Sequence, residues 1–525
     1  MKHLEQRIHA LLNSDAAATL AGIRRGIEKE SLRITTDGTL AQTPHPRALG
    51  SALTHPYITT DYSEALLEFI TPPSTELHKP IEFLEQLHRY VYSHIGDDVL
   101  WVNSMPCMIG KDSDVPVAQY GSANVGRMKT VYREGLGHRY GRKMQTIAGI
   151  HYNFSYPEAF WKLNQQLEGD NAPLQDYISR RYFDLTRNFQ RYSWLLVYLF
   201  GASPALCASF LAGREHDLLE RFDHSLYRPQ ATSLRMSDLG YQNNAQSSLA
   251  ISYNNLDEYV STLTHAINTP EPAYEKMGVK VTDADGNEKY QQLNANILQI
   301  ENEYYSSIRP KRTIKPGERP TTALKERGVE YIEIRALDLN PFEPVGINQQ
   351  EIRFLDLFAT YCLLRESPQL EKCDLHASKE NLRKVVYDGR NTDIQLYNWG
   401  KSVSLKDWAS EKLTQMQPIA ELFDRAHGGN NYAEALAHQQ EKVDNPDATP
   451  SARILEQLES RNQGFFQFAM EQALAHRDHF LSRQRCDATN QQLEALAADS
   501  LAEQAAGEAT DQQSFEEYLA DYFRD

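Results

Sequence analysis

Tyr331-Ile332-Glu333-Ile334-Arg335 alternates two apolar positions with three that carry a polar or charged group. Side chains of a β-strand repeat their direction every second residue, so Glu333 and Arg335 share one face and Ile332 and Ile334 the other. The same pattern recurs far upstream. In Gly26-Ile27-Glu28-Lys29-Glu30, Glu28 and Glu30 are in phase; in Ile150-His151-Tyr152-Asn153-Phe154, His151 and Asn153 are, with Gln145 expected in the same stripe. Ala65-Leu66-Leu67-Glu68-Phe69-Ile70 sets a single carboxylate among apolar neighbours. Four such strands imply a sheet with one apolar face and one polar face that lines a cavity. Same-face carboxylates about 6.6 Å apart repel by about 2.5 kcal/mol at an effective dielectric near 20. A site gathering Glu28, Glu30, Glu68 and Glu333 therefore calls for cations or for protonation. Each residue also has a plainer reading: Glu68 in a buried ion pair, Glu28 and Glu30 on a solvated edge, His151 satisfied in the core.

The flanking segments set the architecture. Residues 3–20 have amphipathic helical spacing, and an Asp37-Gly38 turn separates Ser31–Ile34 from Thr39–Ala41 as a hairpin. Helical spacing returns over 80–96. Residues 101–142 are rich in glycine and turn formers, Met144–Pro157 reads as a strand, and helices are expected over 158–225. Residues 290–340 alternate again, including Asn296–Ile300. From about Asn348 the chain reads as helical, and its last 35 residues as a solvated helix pair. An α+β fold with a mainly antiparallel sheet is expected, divided into a catalytic core at 1–345 and a mainly helical region at 346–525.

The 525 residues carry a formal net charge of −17, which argues against nucleic-acid binding and against adhesion to anionic membranes. Ser193–Gly213 is uncharged, but Gly201-Ala202-Ser203-Pro204 interrupts it, so two buried helical pieces are expected and no membrane span. Met1-Lys2-His3-Leu4-Glu5 lacks an export signal's charged-then-apolar pattern. Five scattered cysteines without a CxxC pair suggest neither a disulfide framework nor structural zinc, and a reducing cytoplasm is expected.

Oxygen ligands with one histidine suit Mg²⁺, or Mn²⁺, better than zinc or copper, and such ions commonly accompany phosphates. No Walker loop occurs, and Gly135–Gly141 has the wrong spacing for a dinucleotide loop. Arg309-Pro310-Lys311-Arg312 and Arg235 are the phosphate candidates. A carboxylate-bridged metallohydrolase and a non-catalytic binding module remain open on these residues alone.

Longer motifs narrow the choice. Gly26–Glu30, GSALTHPYITTDYSEALLEFITP (50–72), MQTIAGIHYNFS (144–155), ATSLRMSDLGY (231–241), LQIENEYYSSIRPKR (298–312) and EYIEIRALDLNPF (330–342) resemble the proteobacterial-type glutamate–cysteine ligases. The resemblance implies ATP-dependent joining of the γ-carboxylate of L-glutamate to the amino group of L-cysteine through a γ-glutamyl phosphate. It implies a curved antiparallel sheet forming a funnel-shaped active site, similar to the glutamine synthetase catalytic domain, with helices around it. Matched by motif, the metal ligands are Glu28, Glu30, Asp61, Glu68, His151 and Glu333. The amino-acid substrates fall to Tyr132, Leu136, Gln145, Asn153, Arg235, Tyr241, Tyr305 and Arg335. Glu333 and Arg335 are the expected catalytic pair, and Arg309, Lys311 and Arg312 are expected to hold ATP. Feedback by glutathione and a monomeric state complete the expectation. The C-terminal third carries no motif that transfers.

Overall fold

The computed structural model describes residues 2–240, 246, 249–283, 285–483 and 487–524. All four polar-striped segments are strands of one antiparallel sheet. Its members are β1 (Arg24–Ile34), β2 (Ile58–Thr60), β3 (Leu66–Ile70), β4 (Val99–Leu100), β5 (Ile150–Ser155), β6 (Ile308–Lys311) and β7 (Tyr331–Leu337). They lie in the order β6-β7-β5-β1-β3-β2, with β4 pairing the far end of β1. The register aligns the polar stripes. Glu30 stands opposite Glu68, Glu28 opposite His151, Asn153 opposite Glu333, and Glu333 opposite Arg309.

Ile27, Ile150, Tyr152, Phe154, Ile332 and Ile334 point to the other face, where each is essentially inaccessible. Six helices matter here: α1 (Lys79–Tyr92), α2 (Asn124–Tyr140), α3 (Leu174–Tyr192), α4 (Gln349–Leu364), α5 (Asp487–Thr510) and α6 (Phe515–Tyr522). On the apolar face, Asp356 of α4 accepts from Arg25 at 2.7 Å, Tyr152 at 2.7 Å and Tyr432 at 2.9 Å. A buried ion pair is favourable only when its lone pairs are satisfied; these hydroxyls do that and lock the sheet to the downstream helices. One continuous core runs from Leu4 to Leu493, across the expected boundary at 345.

The structure corrects several readings. The N-terminal helix is two, Lys2–Leu12 and Ala16–Leu20, and the expected strand 39–41 shrinks to an Ile34–Leu40 bridge. Residues 101–142 contain the 17-residue helix α2. Its glycines serve close packing: a Cβ on Gly135 would lie 2.2 Å from the Gln299 carboxamide, and one on Gly137 2.4 Å from the Tyr62 hydroxyl. Lys143–Thr146 is a 3-10 turn, so Gln145 precedes the strand and is not in its stripe. After the helix Trp194–Phe200, the second helical piece shrinks to a 3-10 turn, Ala208–Leu211, preceded by a strand, Ala205–Cys207. Asn296–Ile300 is irregular. Downstream of Asn348 the helices are interrupted by a hairpin, Gln395–Asn398 with Lys401–Ser404. Cys107 and Cys207 form a disulfide, with Cα atoms 5.2 Å apart across 100 residues of sequence; only the fold brings them together. Cys486 lies outside the described residues. No described helix is long and apolar enough to cross a membrane.

Candidate active site

The polar face of the sheet forms one wall of a cavity of about 440 Å³. Glu28, Glu30, Glu68, His151, Glu333 and Arg335 all reach it from the strands, and Asp61 from the loop after β2. The opposite wall is a stripe of α2, Val125, Met128, Lys129, Tyr132, Arg133 and Leu136, spaced as one helical face. Gln145, Tyr305, Arg309 and Lys311 complete the lining drawn from the sequence candidates.

His151 sits at the centre of the acidic group. Its Nδ1 is 3.1 Å from Glu28 and 3.8 Å from Glu333, and its Nε2 is 3.5 Å from Glu30. Nε2 is buried and has no hydrogen-bond partner. One ligand atom each from Glu28, His151 and Glu333 falls within 4.8 Å of the others. Asn153 donates to Glu28 at 2.9 Å, and the Gly149 amide donates to Glu30 at 2.7 Å, fixing both carboxylates. Glu333 meets Lys311 at 3.2 Å and Arg335 at 3.3 Å.

The carboxylates differ electrostatically. Burial, then the charges of Glu28, Asp61 and Glu30, push Glu68 well above the ordinary carboxylate range. Burial also raises Glu30, against the opposing pull of His151. Burial alone would raise Glu333 as well, but Lys311, Arg335, His151 and Arg309 outweigh it and hold that carboxyl low. The site thus runs from an anion surplus around Glu68 to a cation surplus around Glu333, within one hollow.

Three sequence candidates lie beside the cavity and not in its wall. Asn153 orients Glu28. Arg235 is buried, donates to the Arg335 carbonyl at 3.1 Å and lies 3.8 Å from Asp338. Its guanidinium fills the space that a side chain at Gly149 would need. Arg312 faces an adjoining cavity of about 300 Å³, lined also by Tyr259, Leu263, Leu324 and Tyr331, and Arg309 and Lys311 border both spaces. Tyr241 lies outside the described residues. Gln145 and Tyr305 bond each other at 2.9 Å. Sequence reasoning missed Lys129, Arg133, Tyr518 and Tyr522 in the wall. Lys129 and Arg133 share the three-and-four spacing of one face of α2, a signal that the helix's glycines masked.

The site is a sheet-lined acidic hollow with a cationic edge, the form of an enzyme cleft. The family model described as "Glutamate-cysteine ligase" matches residues 8–385. A glutamate–cysteine ligase of Alcanivorax borkumensis is 98% identical over 525 residues, covering all of both chains. One from Pseudomonas entomophila is 52% identical over 497 residues, covering 95% of this chain and 93% of its own. A crystal structure of glutamate–cysteine ligase from Francisella tularensis in complex with AMP superposes with a TM-score of 0.89 at 38% identity, covering 96% of this chain and 97% of that one. This chain belongs to the glutamate–cysteine ligase family.

Proposed function

We propose that the cleft joins the γ-carboxylate of L-glutamate to the amino group of L-cysteine at the expense of ATP, giving γ-glutamylcysteine, the first step of glutathione synthesis. The observation that carries the reading is convergence. Six side chains expected from four distant strands and a loop, Glu28, Glu30, Asp61, Glu68, His151 and Glu333, line a single cavity.

These residues fit a divalent metal. Oxygen donors with one imidazole suit Mg²⁺ or Mn²⁺, and His151 Nε2, buried without a hydrogen bond and 3.5 Å from Glu30, stands among mutually repelling carboxylates that a cation would balance. Bound there, such ions neutralise phosphate charge and orient the transferring phosphoryl group. The protein's own part is positioning. Arg335, held 3.3 Å from Glu333, presents a guanidinium fork suited to a carboxylate or phosphoryl group. Arg309 and Lys311 border both cavities, so a nucleotide with its phosphates along them would place its nucleoside in the side cavity with Arg312. Tyr132, Leu136, Gln145 and Tyr305 are assigned to the amino acids on the α2 side, with Asn153 and Arg235 supporting the wall. Tyr241 stays in this assignment on its motif alone.

Phosphorylation of glutamate creates an acyl phosphate. Cysteine's nitrogen then forms a bond to the γ-carboxyl carbon as that carbon's bond to the phosphate oxygen breaks, with a proton leaving the amine. In this reading residues 1–345 carry the chemistry, the sheet is the curved wall of a funnel like that of the glutamine synthetase catalytic domain, and 346–525 brace it. A cytoplasmic monomer subject to glutathione feedback, through the shared glutamyl moiety, belongs to the same proposal. The test is phosphate release from ATP with purified protein and Mg²⁺, alongside mass detection of product. Release dependent on both amino acids, with γ-glutamylcysteine formed, is expected; release indifferent to cysteine, with no dipeptide, would contradict the reading.

A further inference from the structure

The last helix, α6, was expected to be solvated, yet it walls the cleft. Ser514 and Glu517 form its capping box. Phe515 and Leu519, one helical turn apart, are buried in a small core with Met128, Leu293 and Ile300. Tyr518 and Tyr522, also one turn apart on the neighbouring stripe, line the 440 Å³ cavity together with Met128 and Ile300. The approach to α6 is bolted to the helix that carries the opposite wall. Asn124, the first residue of α2, donates to the Asp511 carboxylate at 2.8 Å and to the Gln513 carbonyl at 2.7 Å. The Arg127 guanidinium lies 4.4 Å from the centre of the Phe515 ring, and Lys280 meets Glu516 at 3.1 Å. Upstream, α5 is tied to the loop before β2 through Ser51, whose amide donates to Ser500 at 3.0 Å. These contacts fix the tail in place, well beyond residue 385, where the family match ends.

Two half-buried aromatic rings on an anchored helix are poor ligands for phosphate and good excluders of water. This matters chemically, if the function proposed above holds. A water oxygen attacking the γ-carbonyl carbon of γ-glutamyl phosphate breaks the same carbon–oxygen bond that the amine would break. The products are then glutamate and phosphate, and ATP is spent without a peptide. Closed sites suppress such side reactions by expelling water. We propose that Tyr518 and Tyr522 complete the wall of the cleft beside Tyr132 and Met128, so that the activated glutamyl carbon meets cysteine's amine and not water.

The readout is the ratio of phosphate released to γ-glutamylcysteine formed, at saturating ATP, Mg²⁺, glutamate and cysteine. The parent should give a ratio near one. The double variant Tyr518→Ala/Tyr522→Ala keeps the anchors Phe515 and Leu519, and its ratio should rise about threefold or more. Tyr518→Phe/Tyr522→Phe retains both rings and should stay near the parent. An unchanged ratio in the alanine variant, with parent-like circular dichroism, overturns the proposal, as does equal uncoupling by the phenylalanine variant. Should the double variant fail to fold, the single alanine variants decide: a raised ratio in either supports the role, and parent ratios in both overturn it. A parent that forms no γ-glutamylcysteine would fail the assigned function itself, a separate result visible before any variant is made.

Discussion

Replacing Glu333 with glutamine keeps the side chain's volume and removes its charge. The carboxylate lies 3.2 Å from Lys311 Nζ and 3.3 Å from Arg335. At an effective dielectric near 20, each contact is worth about 5 kcal/mol of attraction. Most of that is offset by the several kcal/mol spent desolvating a side chain that is 2% exposed. Lys311 is 28% exposed and Arg335 15%, so both cations regain water when the charge goes. The fold should therefore lose only about 1–2 kcal/mol. Turnover should suffer far more, because the variant loses a metal donor and leaves two cations unbalanced. A thousandfold fall in kcat corresponds to about 4 kcal/mol of barrier. The assay is phosphate release across a Mg²⁺ titration, with thermal unfolding as the fold control. Turnover within tenfold of the parent, at an unshifted Mg²⁺ midpoint, would refute the placement of the cations.

Arg335→Lys should cost at least about a hundredfold in kcat/KM, since an ammonium cannot reproduce the guanidinium fork; a change under twofold removes Arg335 from the phosphoryl or carboxylate site. Lys29 points to the apolar face, 2.6 Å from His88, and burial lowers it to about 7 from 10.5. The unfolded chain binds that proton more tightly, so stability should climb by about 1.4 kcal/mol per pH unit between pH 7 and 10 and fall as the lysine is forced to charge. Lys29→Met should flatten this slope in denaturant titrations, and a slope that persists would relocate the cause. Closing a loop across 100 residues, the Cys107–Cys207 bond should contribute about 4–5 kcal/mol. Cys107→Ser and reductant should each lower the melting temperature of the protein, and a parent indifferent to reductant would show the pair is not formed.

The sheet was legible because its strands obey one rule: β1, β5 and β7 must bury one face and expose a polar one, so period two survives in the sequence. The register pairing Glu30 with Glu68 was not, because β3 returns to β1 only after the excursion over residues 35–65, which includes β2. Helix α2 was hidden by its glycines, which normally break helices; here they admit the Gln299 carboxamide and the Tyr62 hydroxyl. Of the candidate metal ligands, Glu28, Glu30, Glu68, His151 and Glu333 were visible as polar groups in apolar strands, and Asp61 rested on the motif resemblance alone. Tyr518 and Tyr522 went unread as site residues. Their tail is rich in alanine and acid, and only contacts made in space, such as those of Asn124 with Asp511 and Gln513 and of Arg127 with Phe515, reveal that it folds back. The disulfide escaped for the same reason, being a property of distance in space.

Manganese binding, followed by the paramagnetic signal of the free ion, reaches the central claim without requiring turnover. The parent protein should take up Mn²⁺, and Glu28→Gln/Glu333→Gln, which strips two carboxylates from around His151, should bind it at least about tenfold more weakly. Equal affinity in the two proteins, with both folded, would mean that the acidic hollow is not where the cations sit.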